Sequence, residues 1–178
     1  MPTNKSPGMD GLIVEFYRAF WDILGTDLAT VWAESLQGGV LPLLCRRAVL
    51  TLLLKKGDLR YLRNWHPISL LSTDYKIVAK AISLRLRDGL SFALLSLDQE
   101  KAFDRVDHGY LLGTLQEFGF GPQFVSFLQV LYASAECLVR LNWTLTELVS
   151  FGRGVRQECP LLGQLYALVY ALVSSEGG

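Results

Sequence analysis

Two short apolar runs limit the folds that this chain can adopt. Residues 48–54 (AVLTLLL) and 92–97 (FALLSL) have the length of buried strands, and each is followed by charged residues. Elsewhere the apolar residues recur at helical spacing, so the pattern predicts one α+β domain. The longest apolar run near the C-terminus, residues 165–173, is far shorter than the ~20 residues that a membrane-spanning helix needs.

The helical segments are amphipathic, and several begin at a residue that favours a helix start. Asp10 and Thr26 are predicted to cap the first two helices, with a break at Gly25. Asp107 is predicted to cap a later helix, and Pro122 suits a first helical position. The predicted helices are 10–24, 26–37, 72–87, 107–118, 122–131 and 161–173; a turn is predicted at 64–67 and a hairpin at 136–150.

The net charge of zero hides a basic block. Seventeen Lys and Arg balance 17 Asp and Glu over the 178 residues, which argues against a strong polyanion binder. Residues 46–87, however, hold ten basic residues against two acidic ones, a net charge of +8. A charged helix face usually means only solvation, but a basic block can also meet phosphates. The candidate nucleic-acid-binding residues are Lys55, Lys56, Arg60, Arg63, Lys76 and Lys80.

Cysteine and histidine are too sparse for a zinc site or a disulfide framework. The chain has three Cys and two His, widely separated. A reduced, intracellular protein is therefore expected, with nucleus and cytoplasm both open. The first eight residues contain no apolar signal-peptide core.

Two segments could carry chemistry. Asp98 follows the second apolar run directly, so its carboxylate would sit at the end of a buried strand, where a magnesium ligand is well held. The alternative is that Asp98 only ends a strand while Asp104 and Asp107 cap the next helix. The second segment, residues 152–160, combines glycines with Arg156 and Gln157, which could donate to a phosphate or a base edge.

Four segments together, in this order, resemble the reverse transcriptase of non-long-terminal-repeat (LINE-type) retrotransposons. The resemblance runs along nearly the whole chain. Residues 6–12 (SPGMDGL) are similar to the family's opening motif, and residues 64–71 (NWHPISLL) are similar to its fingers motif. Residues 97–104 (LDQEKAFD) are similar to its first palm motif, and residues 154–161 (GVRQECPL) are similar to the motif with the nucleotide-contacting Gln.

The resemblance implies a partial right-hand polymerase fold, with an N-terminal extension and fingers over 1–90 and a partial palm, with an incomplete antiparallel sheet, over 91–178. The implied activity is RNA-directed DNA polymerisation on an RNA template and DNA primer with deoxynucleoside triphosphates, without a membrane partner. Two Mg²⁺ ions would clamp the reacting oxygens. The implied roles are Asp98 and the Gln99 carbonyl as metal ligands, Phe103 as the steric gate under the sugar, and Gln157 and His66 at the nucleotide.

The chain also departs from the family's pattern. No Asp follows Asp107, so the family's Tyr-x-Asp-Asp motif is absent. His66 stands where the family has an Arg, Glu158 where it has a Gly, and Leu162 where a small hydroxyl residue is usual. Residues 87–91 pass directly from the fingers helix to the palm strand and lack a stretch that includes Pro-Gly-Arg. These departures predict an internally deleted, catalytically inactive fragment.

Two alternatives remain open at this point. The basic block could make the chain a non-catalytic nucleic-acid-binding module. The chain could also be the product of a decayed element copy that does not fold stably, since an unpaired sheet edge beside residues 92–97 would favour aggregation.

Overall fold

A computed structural model describes the protein over residues 1–55, 57–61, 64–89, 106–154, 156 and 158–176. These residues form seven helices and five strands. The helices are α1 (Val14–Ala19), α2 (Trp21–Gly38), α3 (Leu43–Arg46), α4 (Thr73–Gly89), α5 (His108–Glu117), α6 (Pro122–Tyr132) and α7 (Leu162–Glu176). The strands are β1 (Arg47–Leu54), β2 (Trp65–Leu70), β3 (Glu136–Leu141), β4 (Thr144–Leu145) and β5 (Val149–Ser150).

The five strands form one mixed sheet in the order β2-β1-β3-β4, with β5 also paired to β3. β1 is antiparallel to β2 but parallel to β3, so strands from both sides of residue 90 share the sheet. The predicted strand over 92–97 lies outside the described residues. The described part of the chain is therefore a mixed α and β structure, and the polymerase fold, its palm sheet and the boundary at residue 90 stay predictions.

The turn predicted at residues 64–67 is wrong from Trp65 onwards, because β2 begins there and includes Pro67. Proline has no N–H to donate to a neighbouring strand, so it is tolerated at a sheet edge. Of the described strands, β1 is the one that pairs with β2, which leaves the other side of β2 as such an edge. The apolar run that predicted β1 is confirmed, starting one residue earlier at Arg47.

The start of the chain differs from its prediction. The break between the first two helices comes at Phe20, not at Gly25, which lies inside α2. Asp10 does not cap a helix; its Oδ1 accepts a hydrogen bond from the Leu12 N–H at 3.1 Å, and α1 begins later at Val14. The predicted stop is confirmed, since Gly39 ends α2 with a φ of 72°.

Both later helix starts are confirmed. The Asp107 side chain accepts from the N–H groups of Gly109 and Tyr110, which caps α5, and Pro122 occupies the first turn of α6. The described core is enclosed by α4–α7, by Trp32 of α2 and by the end of the sheet at which β1 begins, which is the inner end; the opposite end of the sheet, where β1 ends at Leu54, is the outer end. Its fully buried members include Leu71, Tyr75, Leu111, Leu128, Leu131, Leu161 and Leu165.

Candidate nucleic-acid interface

Two of the four motif segments pack together at the first turn of α4. The backbone of Gly8 lies so close to the end of the fingers motif that a Cβ on Gly8 would be 2.8 Å from the Leu71 carbonyl carbon and 2.5 Å from the nitrogen of Ser72, the next residue. Thr73 Oγ1 donates a hydrogen bond to the Leu12 carbonyl at 2.6 Å. Only glycine fits at position 8, so the opening motif and the end of the fingers motif are fitted to each other.

The motif at residues 154–161 reaches the same turn through Arg156 and Cys159. The guanidinium of Arg156 lies 4.8 Å from the centre of the Tyr75 ring, and Tyr75 Oη is 3.5 Å from Cys159 Sγ. Segments separated by more than 60 residues along the chain therefore meet at the start of α4. Sequence reasoning grouped them only by their resemblance to one family.

Arg156 has a different role from the phosphate contact that the sequence suggested. Its side chain is 3% exposed, and its two terminal nitrogens donate to the carbonyls of Cys45 and Arg46 at 2.9 and 2.7 Å. It ties the turn around residues 154–161 to the start of β1. A buried guanidinium used in this way stabilises the junction and is not free to meet a ligand.

A buried polar cluster beside this junction was missed from the sequence. Burial raises the pKa of the Asp10 carboxyl, and the neighbouring Asp74 carboxylate raises it further. The Cys45 thiol donates to Asp74 Oδ2 at 3.8 Å, and burial raises the pKa of Cys45 to about 12. Burial and Asp74 also raise the pKa of Tyr17. The sequence pattern did not indicate this cluster, because Asp10, Cys45 and Asp74 are far apart along the chain.

The basic block is partly neutralised by its own surroundings. Arg60 makes a bidentate ion pair with Asp58, at 3.0 and 2.7 Å, and this raises the pKa of Arg60 and lowers that of Asp58. Arg47 pairs with Glu136 across β1 and β3 at 3.0 Å. Asp58 is already counted in the net charge of +8, and the pairing of Arg47 with Glu136, which lies outside residues 46–87, lowers that charge by one further unit.

The described lysines of the basic block differ in exposure. Lys76 is half-buried, and burial lowers its pKa while Glu158 and Asp10 oppose that effect. Lys80 is also half-buried on α4. Lys55 is exposed at the end of β1, where its N–H donates to the Asn64 carbonyl at 2.8 Å. Lys55 is therefore the candidate cation best placed to meet solvent or a phosphate.

His66 lies away from the α4 junction. It is exposed on the edge strand β2, opposite Leu53. Leu71 is five positions further along the chain, which is about 16 Å at the usual rise of a strand. The fingers motif therefore has one end in the core and the other at the outer end of the sheet.

Six predicted site residues lie outside the described residues: Lys56, Arg63, Asp98, Gln99, Phe103 and Gln157. Within the described ranges, no three His, Cys, Asp or Glu side chains are grouped so that they could hold a metal ion. The magnesium site and the steric gate thus stay predictions from the resemblance.

Glu158 occupies a backbone conformation that favours glycine. Its φ is 65°, in the left-handed region that side chains rarely adopt. A glycine, which the resemblance implies at this position, would adopt this conformation without strain, whereas Glu158 does not.

No protein-family model matches the chain. The chain is similar to the transposon TX1 uncharacterized 149 kDa protein of Xenopus laevis, with 58% identity over 204 residues. The match covers 94% of this chain, which spans 16% of that protein's length. It supports a transposon origin for the chain, in agreement with the resemblance to non-long-terminal-repeat retrotransposons. No helix in the described ranges is long and apolar enough to cross a membrane.

Proposed function

We propose that the chain is a fingers-and-palm portion of the reverse-transcriptase domain of a non-long-terminal-repeat retrotransposon, and that these 178 residues bind nucleic acid but do not polymerise DNA. The observation that carries the proposal is the meeting of three motif segments at the first turn of α4. Gly8 packs on the backbone of Leu71 and Ser72, Thr73 donates to the Leu12 carbonyl, and Arg156 stacks on Tyr75. A chance set of similar short segments would not be expected to form one fitted junction.

The similarity to a transposon protein supports the same origin. The aligned stretch of 204 residues is longer than the 178-residue chain, so the relative has residues within it that this chain lacks. This agrees with the internal deletion expected next to residues 87–91.

Three features of these residues argue against turnover. Asp98 would be the sole aspartate at the metal ions, because no Asp follows Asp107 in the 178 residues. The imidazole of His66 cannot replace the permanent charge and the fork of five N–H donors of a guanidinium. Glu158 adds a carboxylate where triphosphate would approach. Loss of one charge-stabilising group alone commonly costs about 10²- to 10³-fold in rate, so loss of several should abolish polymerisation.

Primer extension with poly(rA)/oligo(dT) and Mg²⁺ tests both parts of the proposal. The chain should retain the primer–template in a mobility-shift assay at low salt and should give no extension above an Asp98→Ala control. Template-dependent product above that control would contradict the predicted inactivity. Failure to retain the primer–template would contradict the proposed nucleic-acid function.

A further inference from the structure

The outer end of the sheet holds an open groove, to which the fingers motif contributes Trp65 and the other motifs contribute no residue. Its volume is about 550 Å³, within the usual range for a small-ligand site. β1 and β3 are paired as far as Thr51 and Arg140; beyond them β1 continues along β2, while β3 enters the hairpin. The groove opens where these strands separate. Its lining residues are Thr51, Leu52, Trp65, Arg140, Leu141, Asn142 and Trp143.

Two tryptophans and an arginine give this groove its chemistry. Trp143 is 90% exposed, and the guanidinium carbon of Arg140 lies 5.8 Å from the centre of its ring. Arg140 is held in turn by its hydrogen bond to Thr51 Oγ1 at 3.3 Å. The Trp65 indole N–H donates to the Leu59 carbonyl at 3.0 Å, which fixes that ring as well. Trp65 is thus held by a hydrogen bond, and Trp143 has its contact with Arg140.

The hairpin turn that carries Trp143 has a strained backbone. Asn142 and Trp143 have φ values of 46° and 70°, as the two central residues of a type I′ turn require. Glycine is the usual second residue of such a turn, and a bulky side chain there is rare. An exposed aromatic side chain kept at a strained position is a candidate functional residue.

We infer that this groove is a stacking site for an unpaired base of single-stranded nucleic acid, with Trp143 as the platform and Arg140 and Trp65 beside it. Aromatic rings bind bases of any sequence because every base has a π-face, and arginine adds a cation–π contribution. Lys55, at the end of the neighbouring strand, is placed to meet the adjoining phosphate. The inference rests on the proposed nucleic-acid function and adds a base-binding site to it.

Fluorescence anisotropy with two labelled oligonucleotides of equal length tests the inference. One is a deoxythymidine oligonucleotide, and the other is its abasic counterpart, which keeps the phosphates but lacks the bases. The full chain should bind the first at least about fivefold more tightly, the lower limit for one stacked base.

Trp143→Gly is the decisive variant, because glycine relieves the strain in the turn and the fold should therefore survive. It should lose the preference for the base-containing strand while its thermal melt stays at or above that of the parent chain. Trp21→Ala is the matched control, because it removes a half-exposed tryptophan on α2, and it should keep the preference.

Several outcomes would overturn the inference, and they can be told apart. Equal binding of both oligonucleotides, unchanged in Trp143→Gly, would mean binding through charge alone and would leave the proposed function intact. An equal loss in Trp143→Gly and Trp21→Ala would point to general apolar contact. Self-association through this groove, seen as a concentration-dependent mass that Trp143→Gly abolishes, would assign it to protein contact. No binding of either oligonucleotide would overturn the proposed function too.

Discussion

The two ends of the sheet are built in opposite ways. At the inner end, Tyr75 is fully buried, Arg156 is 3% exposed, and both take part in hydrogen bonds or ring contacts. At the outer end, Leu53, Leu54 and Trp143 are exposed, and strands β1 and β3 separate.

Because of this difference, we expect substitutions at the two ends to affect different properties, stability at the inner end and binding at the outer end. Side chains at the inner end are fixed by partners, so substitutions there should change the free energy of unfolding. Side chains at the outer end contact few other groups, so substitutions there should change binding and leave the fold intact.

Arg156→Leu should have the largest effect on the inner end. It leaves the buried carbonyls of Cys45 and Arg46 without their donors, which should lower the free energy of unfolding by about 2–5 kcal/mol. Urea unfolding followed by circular dichroism measures the loss. Arg153→Leu is the matched control, because Arg153 is 78% exposed and its 3.7 Å ion pair with Asp107 should contribute less than about 1 kcal/mol. Equal losses in the two variants would contradict the inner-end assignment.

Gly8→Ala should come next. The added methyl group would overlap the Ser72 backbone, and overpacking of this kind costs about 1–3 kcal/mol. Gly38→Ala is the control, since a Cβ there meets no atom within 4 Å. It should be neutral or slightly stabilising. Thermal melts of both variants give the comparison, and an unchanged Gly8→Ala melt would show that the opening motif is not fitted to α4.

Glu158→Gly should stabilise the chain by about 1 kcal/mol, because glycine adopts a positive φ without strain. Glu158→Ala removes the same carboxylate near Lys76 but keeps the strain, so it should not gain stability. The difference in denaturation midpoint between the two variants isolates the backbone contribution. A gain of equal size in both would assign the effect to charge.

A small pH effect should arise at Asp10. Its pKa is raised in the folded state, so the protonated form is favoured there and the contribution to stability is present at acidic pH. That contribution is lost as the pH rises through the folded-state pKa. Asp10→Asn should therefore gain more stability relative to the parent at pH 7 than at pH 4, as measured by urea unfolding. A pH-independent difference would contradict the raised pKa.

Local signals in the sequence predicted much of the fold. The cap at Asp107, the helix start at Pro122, the stop at Gly39 and the strand β1 depend on nearby residues, and all four are confirmed. The break at Gly25 failed because a single glycine lowers helix stability by only about 1 kcal/mol, which packing can outweigh.

The inner-end contacts could not be predicted because they join distant residues. Arg156 meets Cys45 and Arg46 across more than 100 positions, and nothing local distinguishes it from an arginine that binds phosphate. The groove at Trp143 depends likewise on where two strands separate. The predicted nucleotide and metal contacts at Asp98, Gln99, Phe103 and Gln157 lie outside the described residues and stay predictions.

Binding of oligo(rA) as a function of salt tests the proposed nucleic-acid function most directly. With Arg60 already paired, five of the six candidate cations remain, which predicts a slope of log Kobs against log salt of about −3.5 for a single strand. Affinity should then fall roughly 100-fold between about 50 and 200 mM salt. A flat response over that range would contradict nucleic-acid binding by this chain.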